Sequence, residues 1–239
     1  MMTVFNINYE PDRDKVLQVI DDRCSTGQPG YVCVADGNIL AMVHRDEEYR
    51  KVINGSILSI VDSSWVPLYV RKLYGYKWEQ YSGSRIFADL TEKKRYRMFF
   101  LGSRQNVLDA LKRELCKVDP AIEGMEFMEL PFCNVEDFDY EGISDIVNRD
   151  NPDLIWLSLG APKQERFAAR LVPYLKRGVV IPVGAVFNFR SGIGVRRAPQ
   201  WMVKCHLEFI YRIFREPGKQ LTRCADIITT LPRILRNAK

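Results

Sequence analysis

The chain has 239 residues, is 46% hydrophobic and carries a formal charge of +5. That length and apolar content exclude a disordered chain and allow one large domain with an appendage. The charge is uneven: residues 190–239 hold eleven Lys and Arg against three Asp and Glu, a net +8, while the first 189 residues, with 24 against 27, carry −3. A basic tail on a mildly acidic body predicts an anionic partner, either membrane or nucleic acid. The six cysteines are scattered without a CxxC and there are only two histidines, so a structural zinc cluster is not expected. Reduced thiols of a cytosolic protein are the expectation. The opening MMTVFNINYEPDRDK has no apolar stretch of the secretory kind, and no run approaches the ~18 apolar residues of a membrane span.

The elements are read from Tyr31 onward. Tyr31–Ala35 is a strand, 38–53 a charged helix, and Ile57–Val61 a second strand ending at Asp62. Helices follow over 65–74 and 83–93. The strand 97–101 runs into Gly102-Ser103-Arg104, and helix 105–116 carries Leu108, Leu111 and Leu115 on one face. A short strand is expected at 125–128 and a helix at 138–148. Then come a strand at 154–159, a helix near 163–176 that Pro173 kinks or shortens, and a strand at 179–183. This alternation predicts an α/β fold: a Rossmann-like, mostly parallel sheet with helices on both faces. After Pro199 the pattern becomes helical and basic. We therefore divide the chain into an α/β domain over 1–195 and a helical, membrane-associating appendage over 196–239.

The densest chemistry lies between Asp153 and Pro199. The apolar runs 154–159 and 179–183 each end in glycine, followed by residues suited to a charged ligand. Buried parallel strands with polar loops at their carboxyl ends are how such sheets build sites. In Gly160-Ala161-Pro162-Lys163-Gln164-Glu165, Pro162 suits a helix first turn, so Lys163 and Gln164 are expected to face the crevice. A lysine at a positive helix end is a local conflict that a bound anion would resolve. Gly184 to Pro199 joins three glycines to Arg190, Arg196 and Arg197, a set suited to phosphate.

Upstream, Asp62 reads either as a general base at a strand end or as the cap of the helix starting near Trp65. Asp36 reads as a turn residue or as an orienting group for an acceptor hydroxyl. Gly102-Ser103-Arg104 opens a helix and suits phosphate, but the nicotinamide fingerprint GxGxxG is missing. Asp137-Phe138-Asp139 matches a metal-binding DxD only formally, and a helix-start acidic pair is the better reading. In the tail, Trp201, Cys205, Phe209 and Ile213 share one helical face, and Leu221, Cys224, Ile228, Leu231 and Leu235 another, flanked by cations. Such a stripe suits a membrane interface, the sheet, or a second copy of the chain. Pro232 is expected to break or restart the second helix.

The blocks LSLGAPKQERF, GVVIPVGAVFNFRSGIGVRRAPQW and LEFIYRIFREP resemble the WecG/TagA/CpsF glycosyltransferases, glycosyltransferase family 26. ADGNILAMVHRDEEYRKVINGSILSIVDSSWVPLYVRKLYG and WEQYSGSRIFADL extend the resemblance upstream, so it spans about residues 31–223. It implies an inverting, metal-independent enzyme without a cofactor. Such an enzyme moves N-acetylmannosamine, its uronic acid or a glucose-type sugar from a UDP-sugar to a polyprenyl-diphosphate-linked sugar. The setting it implies is the inner face of the cell membrane, in cell-envelope polysaccharide synthesis. The resemblance assigns Asp62 as catalytic base and Asp36 and Arg85 to the acceptor. Gln164, Phe187 and Asn188 fall on the family's donor positions, and with Gly102, Ser103, Gly160, Pro162, Lys163, Glu165 and Gly184 of the loops read above they make up the expected donor site. The resemblance gives Arg196, Arg197, Arg212, Arg215 and Arg223 to diphosphate or membrane contact. Three positions depart from the family pattern: Val34 where a threonine is usual, Ser63 where a glycine follows the aspartate, and Asn188 where a carboxylate is usual. The alternatives are a metal-dependent sugar-nucleotide enzyme, which the lack of GxGxxG and Tyr-x-x-x-Lys disfavours in its nicotinamide form, and a nucleic-acid-binding module. No nucleic-acid motif supports the latter, so no nucleic-acid partner is expected.

Overall fold

The computed structural model describes residues 1–194, 202, 211, 214 and 217–237. Among these residues, eight strands form one sheet: β1 (Met2–Val4), β2 (Ile7–Tyr9), β3 (Gly30–Ala35), β4 (Leu58–Val61), β5 (Met98–Gly102), β6 (Phe127–Met128), β7 (Leu154–Ser158) and β8 (Val179–Pro182). Their order is β1-β2-β4-β3-β8-β7-β5-β6, and every pairing is parallel except β1 with β2. The expected Rossmann-like α/β architecture is therefore present.

The central strands feed two core layers, because successive side chains point to opposite faces. Cys33, Ala35, Phe99, Leu101, Ile155 and Leu157 enter one layer. Val32, Val34, Met98, Phe100, Leu154 and Trp156 enter the other. Helices α2 (Gly37–Val43), α3 (Glu47–Asn54), α4 (Val66–Tyr74), α7 (Tyr140–Asp150) and α8 (Lys163–Leu171) cover the first layer. Helices α1 (Arg13–Thr26), α5 (Gly83–Glu92), α6 (Gln105–Cys116) and α9 (Val186–Ser191) cover the second. There Phe87 lies 4.6 Å from Trp156 and 6.3 Å from Phe187, centroid to centroid. Burying each such ring contributes roughly 1.5–3 kcal/mol.

Several elements differ from the expectation. The chain before Tyr31 is structured: β1 and β2 form a hairpin whose two turn residues, Phe5 and Asn6, have φ of 51° and 61°, and α1 follows. The single helix expected over 38–53 is two helices. Asp46 accepts from the Tyr49 N–H at 2.9 Å and so starts a new helix instead of continuing the old one. α8 stops at Leu171 and gives way to a 3₁₀ turn at Val172–Tyr174, since Pro173 supplies no N–H.

The last helix, α10 (Pro217–Asn237), continues through Pro232 where a break was expected. It packs on α2: Ile234 and Thr230 are buried, and a Cβ on Gly37 would come within 3.3 Å of Ile227. Side-chain packing on both sides of the proline offsets the missing hydrogen bond. Arg45, just after α2, bonds Asp226 and Thr229 of α10. Leu221 and Ile228 face outward, 56% and 68% exposed, so the packed face is not the face that carries these two residues of the sequence's apolar stripe. The stripe proposed over Trp201 to Ile213 lies outside the described residues, as do Arg196, Arg197, Arg212 and Arg215. Arg223 lies within α10.

Candidate active site

Parallel strands bring their carboxyl ends to one edge of the sheet. The chain steps outward from β3 to β4, and later returns through β7 to β8, which pairs with β3. The crevice at that reversal is where open α/β sheets bind ligands. A cleft of about 560 Å³ lies there, and the ends of β3, β4, β5, β7 and β8 all contribute to it.

One wall is acidic. Asp62 follows β4, and its Oδ1 accepts from the Gly83 N–H at 2.8 Å. Asp62 does not cap α4: the Trp65 N–H bonds Ser63 Oγ instead, at 3.2 Å. The carboxylate meets the first residue of α5, a helix that begins some twenty residues later along the chain. Its orientation is thus set by an element the local sequence does not reveal. Asp36 follows β3 and caps α2, accepting from the Ile39 N–H at 2.9 Å. It also lines the cleft, so its turn role and its place at the site coexist.

The facing wall is built from backbone. Gly102, Ser103, Gly160 and Gly184 have φ of 93°, 68°, 85° and 55°. Gly102 lets β5 approach β7, since a Cβ there would sit 2.6 Å from the Ser158 carbonyl oxygen. That approach puts Ser103 in the cleft at the start of α6, beside Arg104 and Asn106. The Ser158 hydroxyl donates to the Gly184 carbonyl at 2.7 Å and ties the ends of β7 and β8 together. Helix N-termini and left-handed backbone turns present N–H groups, the usual means of holding an anion.

Between the walls stands Gln164 on α8. It is 5% exposed and lines the cleft. Its Oε1 accepts from the Gly160 N–H at 3.0 Å, and its Nε2 donates to Glu165 Oε1 at 2.8 Å. Glu165 lies beneath the cleft, fully buried, and accepts from the Tyr49 hydroxyl of α3 at 3.1 Å. Burial raises the Glu165 pKa to about 7, against the opposing pull of its hydrogen bonds, and the charge of Asp36 adds to the rise. Burial also pushes the Tyr49 phenol upward, as does the neighbouring Glu165.

The sequence-assigned residues therefore divide. Asp62, Asp36, Ser103, Gly160, Gln164, Gly184 and Asn188 meet in the cleft. Asn188 Nδ2 donates to the Ile193 carbonyl at 3.2 Å, closing the turn after α9. Gly102 and Glu165 support the cleft from behind. Pro162 begins α8 through a cis peptide after Ala161, and Ala161 lines the cleft in its place.

Three assignments are corrected in position. Lys163 does not face the crevice: its ammonium bonds the Cys133 carbonyl and lies 4.8 Å and 5.5 Å from the Phe138 and Phe132 rings. Cation–π contact resolves the misplaced charge that an anion was expected to resolve. Phe187 is fully buried in the aromatic core. Arg85 pairs with Asp89 at 3.1 Å and is 61% exposed, leaving Gly83 and Ser84 to line the cleft. Asp137 and Asp139 serve local structure, Asp139 capping α7 by accepting from the Gly142 N–H at 2.9 Å. Among the described residues, no three His, Cys, Asp or Glu side chains converge as a metal would require. Arg104, part of the turn read as suited to phosphate, also lines the cleft, whereas Ser84, Asn106 and Ser158 are cleft residues that sequence reasoning did not assign. Asn106 had a visible signal, since it sits in the first turn of the helix after Gly102.

The family model for the Glycosyl transferase WecG/TagA/CpsF family matches residues 2–239. The chain belongs to that family. It is a glycosyltransferase. The chain is 27% identical over 178 residues to an N-acetylglucosaminyldiphosphoundecaprenol N-acetyl-beta-D-mannosaminyltransferase of Bacillus subtilis (strain 168), covering 73% of this chain and 67% of the relative. A protein of the same name from Bacillus spizizenii is 24% identical over 197 residues, covering 79% and 72%. No helix among the described residues is long and apolar enough to cross a membrane.

Proposed function

We propose that the cleft transfers an N-acetylmannosaminyl group from its UDP-linked donor to a lipid-linked N-acetylglucosaminyl diphosphate, inverting the anomeric centre. The names of the two relatives support the transferred sugar, its β linkage and the acceptor. The observation that carries the mechanism is the Asp62 carboxylate, oriented by the Gly83 N–H and set across from a wall of backbone donors.

In this reading the acceptor hydroxyl attacks the anomeric carbon as its proton passes to Asp62. The bond from that carbon to the diphosphate oxygen breaks, and its electron pair leaves with UDP. Charge then develops on the diphosphate, near the turns at Ser103 and Gly184 and the start of α6. Preorganised N–H groups there stabilise it, assisted by Arg196 or Arg197. No metal is assigned a step. Asp36 orients the acceptor sugar.

The enzyme works peripherally on the cytoplasmic face of the membrane. The outward-facing Leu221 and Ile228 of α10 and the tail arginines, including Arg212, Arg215 and Arg223, meet anionic lipid, each cation contributing roughly 1 kcal/mol. Residues 1–195 form the catalytic domain and 196–239 the appendage. Calorimetric titration with a panel of UDP-sugars, with and without EDTA, tests the donor. Tight binding of UDP-N-acetylmannosamine in EDTA is expected, and binding of no uridine nucleotide would contradict the reading. Co-sedimentation with anionic liposomes tests the tail: a chain ending near residue 199 should stay in the supernatant.

A further inference from the structure

We infer that Glu165 is a positioning residue that, braced by Tyr49, fixes which end of the Gln164 amide meets the Gly160 backbone and which end is left for the ligand. A side-chain amide is nearly symmetric in shape, so only its neighbours decide its orientation. Here the neighbours are opposites. On one side the Gly160 N–H can only donate, and it meets Oε1 at 3.0 Å. On the other, a carboxylate can only accept, and it meets Nε2 at 2.8 Å. Flipping the amide would set donor against donor and acceptor against acceptor in a buried place, where an unmade hydrogen bond is costly.

Glu165 is itself held from the other side, by the Tyr49 hydroxyl at 3.1 Å. Tyr49 is fully buried, and the Arg166 guanidinium lies 5.3 Å from its ring centroid while pairing with Asp46 at 2.6 Å. The relay thus runs from α3, through a buried acid that never touches the cleft, to a cleft side chain on α8. A buried carboxylate is a poor choice for stability alone, since apolar groups fill such space at lower cost. Among the described residues, the hydrogen bonds of the Glu165 side chain lead to the cleft through Gln164, and a second N–H on Nε2 and a second lone pair on Oε1 remain for a ligand.

The inference rests on the proposed donor site for its kinetic readout but not for its structural one. At pH 8, Glu165→Met should fill the space while removing the acceptor. It should lower kcat/KM for UDP-N-acetylmannosamine by roughly tenfold to a hundredfold, the usual cost of misplacing one contact. Glu165→Gln should retain most activity, because its carbonyl end still accepts from Gln164 while its amide end donates to Tyr49. Gln164→Ala should match Glu165→Met, and the double variant should fall no further than Gln164→Ala alone. If Glu165→Met does not fold, Tyr49→Phe offers the same cycle with a smaller, severalfold effect. Losses that multiply in the double variant, or a Glu165→Met enzyme as active as wild type, would overturn the inference.

Independently, NMR of glutamine-¹⁵N-labelled, ligand-free protein should show one side-chain amide with a single solvent-protected N–H, which Gln164→Ala deletes. Glu165→Met should expose that N–H and Glu165→Gln should not. A protected N–H in an enzyme that transfers no sugar would uphold the positioning role and refute the donor reading. An unprotected one in an active enzyme would do the reverse.

Discussion

The two walls of the cleft do their work with different parts of the chain. The wall formed by β3 and β4 presents side-chain carboxylates, Asp36 and Asp62, each held by a backbone N–H. The wall formed by β5, β7 and β8 presents backbone itself, at Ser103, Gly160 and Gly184, in left-handed conformations. Carboxylates accept protons and repel phosphate, whereas exposed N–H groups attract it. A reaction that removes a proton at one end and releases a diphosphate at the other needs that separation. The contrast also says how each wall should fail: the first through chemistry with the fold intact, the second through the backbone.

The largest effect is expected on the acidic wall. Asp62→Asn keeps the oxygen that accepts from Gly83 and removes the base. Its kcat should fall by roughly 10²–10⁴, the usual weight of general-base catalysis, with an unchanged melting temperature. On the backbone wall, Gly102→Ala must seat a methyl 2.6 Å from the Ser158 oxygen at a φ of 93°. It should lose about 3 kcal/mol in urea unfolding. Gly160→Ala meets nothing within 4 Å, so only its φ of 85° is strained and about 1–2 kcal/mol is expected. Equal losses at both glycines would mean that close strand approach is not what Gly102 provides.

Beneath the same wall, Glu165 sharpens the contrast through pH. Its folded pKa of about 7 exceeds the ordinary 4.5, so the folded protein binds the proton more tightly than the unfolded chain. Its contribution to stability is therefore fully present below pH 4.5 and declines as pH rises to about 7, by on the order of 3 kcal/mol. Subtracting the pH–stability curve of Glu165→Gln from that of wild type should isolate this slope. A flat difference would remove the buried ionisation from the account. The smallest effect is expected outside both walls. Arg45 and Asp226 are 40% and 38% exposed, so Arg45→Ala should weaken the docking of α10 by under about 1 kcal/mol, read as faster amide exchange in residues 217–237.

Much of this was legible in the sequence, for a physical reason. Strands buried on both faces read as apolar runs, and the glycines after Leu101, Leu159 and Val183 marked where the backbone turns into the cleft. What was illegible depended on contacts distant in sequence. Nothing near Lys163 announces Phe132 and Phe138, so its charge looked like an anion site. Nothing near Asp62 announces Gly83, so a cap for α4 looked plausible. Phe187 sits in a short helix whose inward face is set by Phe87 and Phe100, and its apolar side chain reads the same in a core as in a site. The N-terminal hairpin escaped because Phe5-Asn6 takes up left-handed φ without the usual glycine. The appendage was legible as basic and amphipathic, but Ile227, Thr230 and Ile234, which pack it on α2, lie off the conspicuous stripe.

The most direct test of the central claim is transfer of radiolabelled sugar from UDP-N-acetylmannosamine to a lipid-linked N-acetylglucosaminyl diphosphate, comparing wild type with Asp62→Asn. The account predicts a β-linked disaccharide lipid from the wild type and a rate roughly 10²–10⁴ lower from the folded variant. Turnover by Asp62→Asn near the wild-type rate would contradict it.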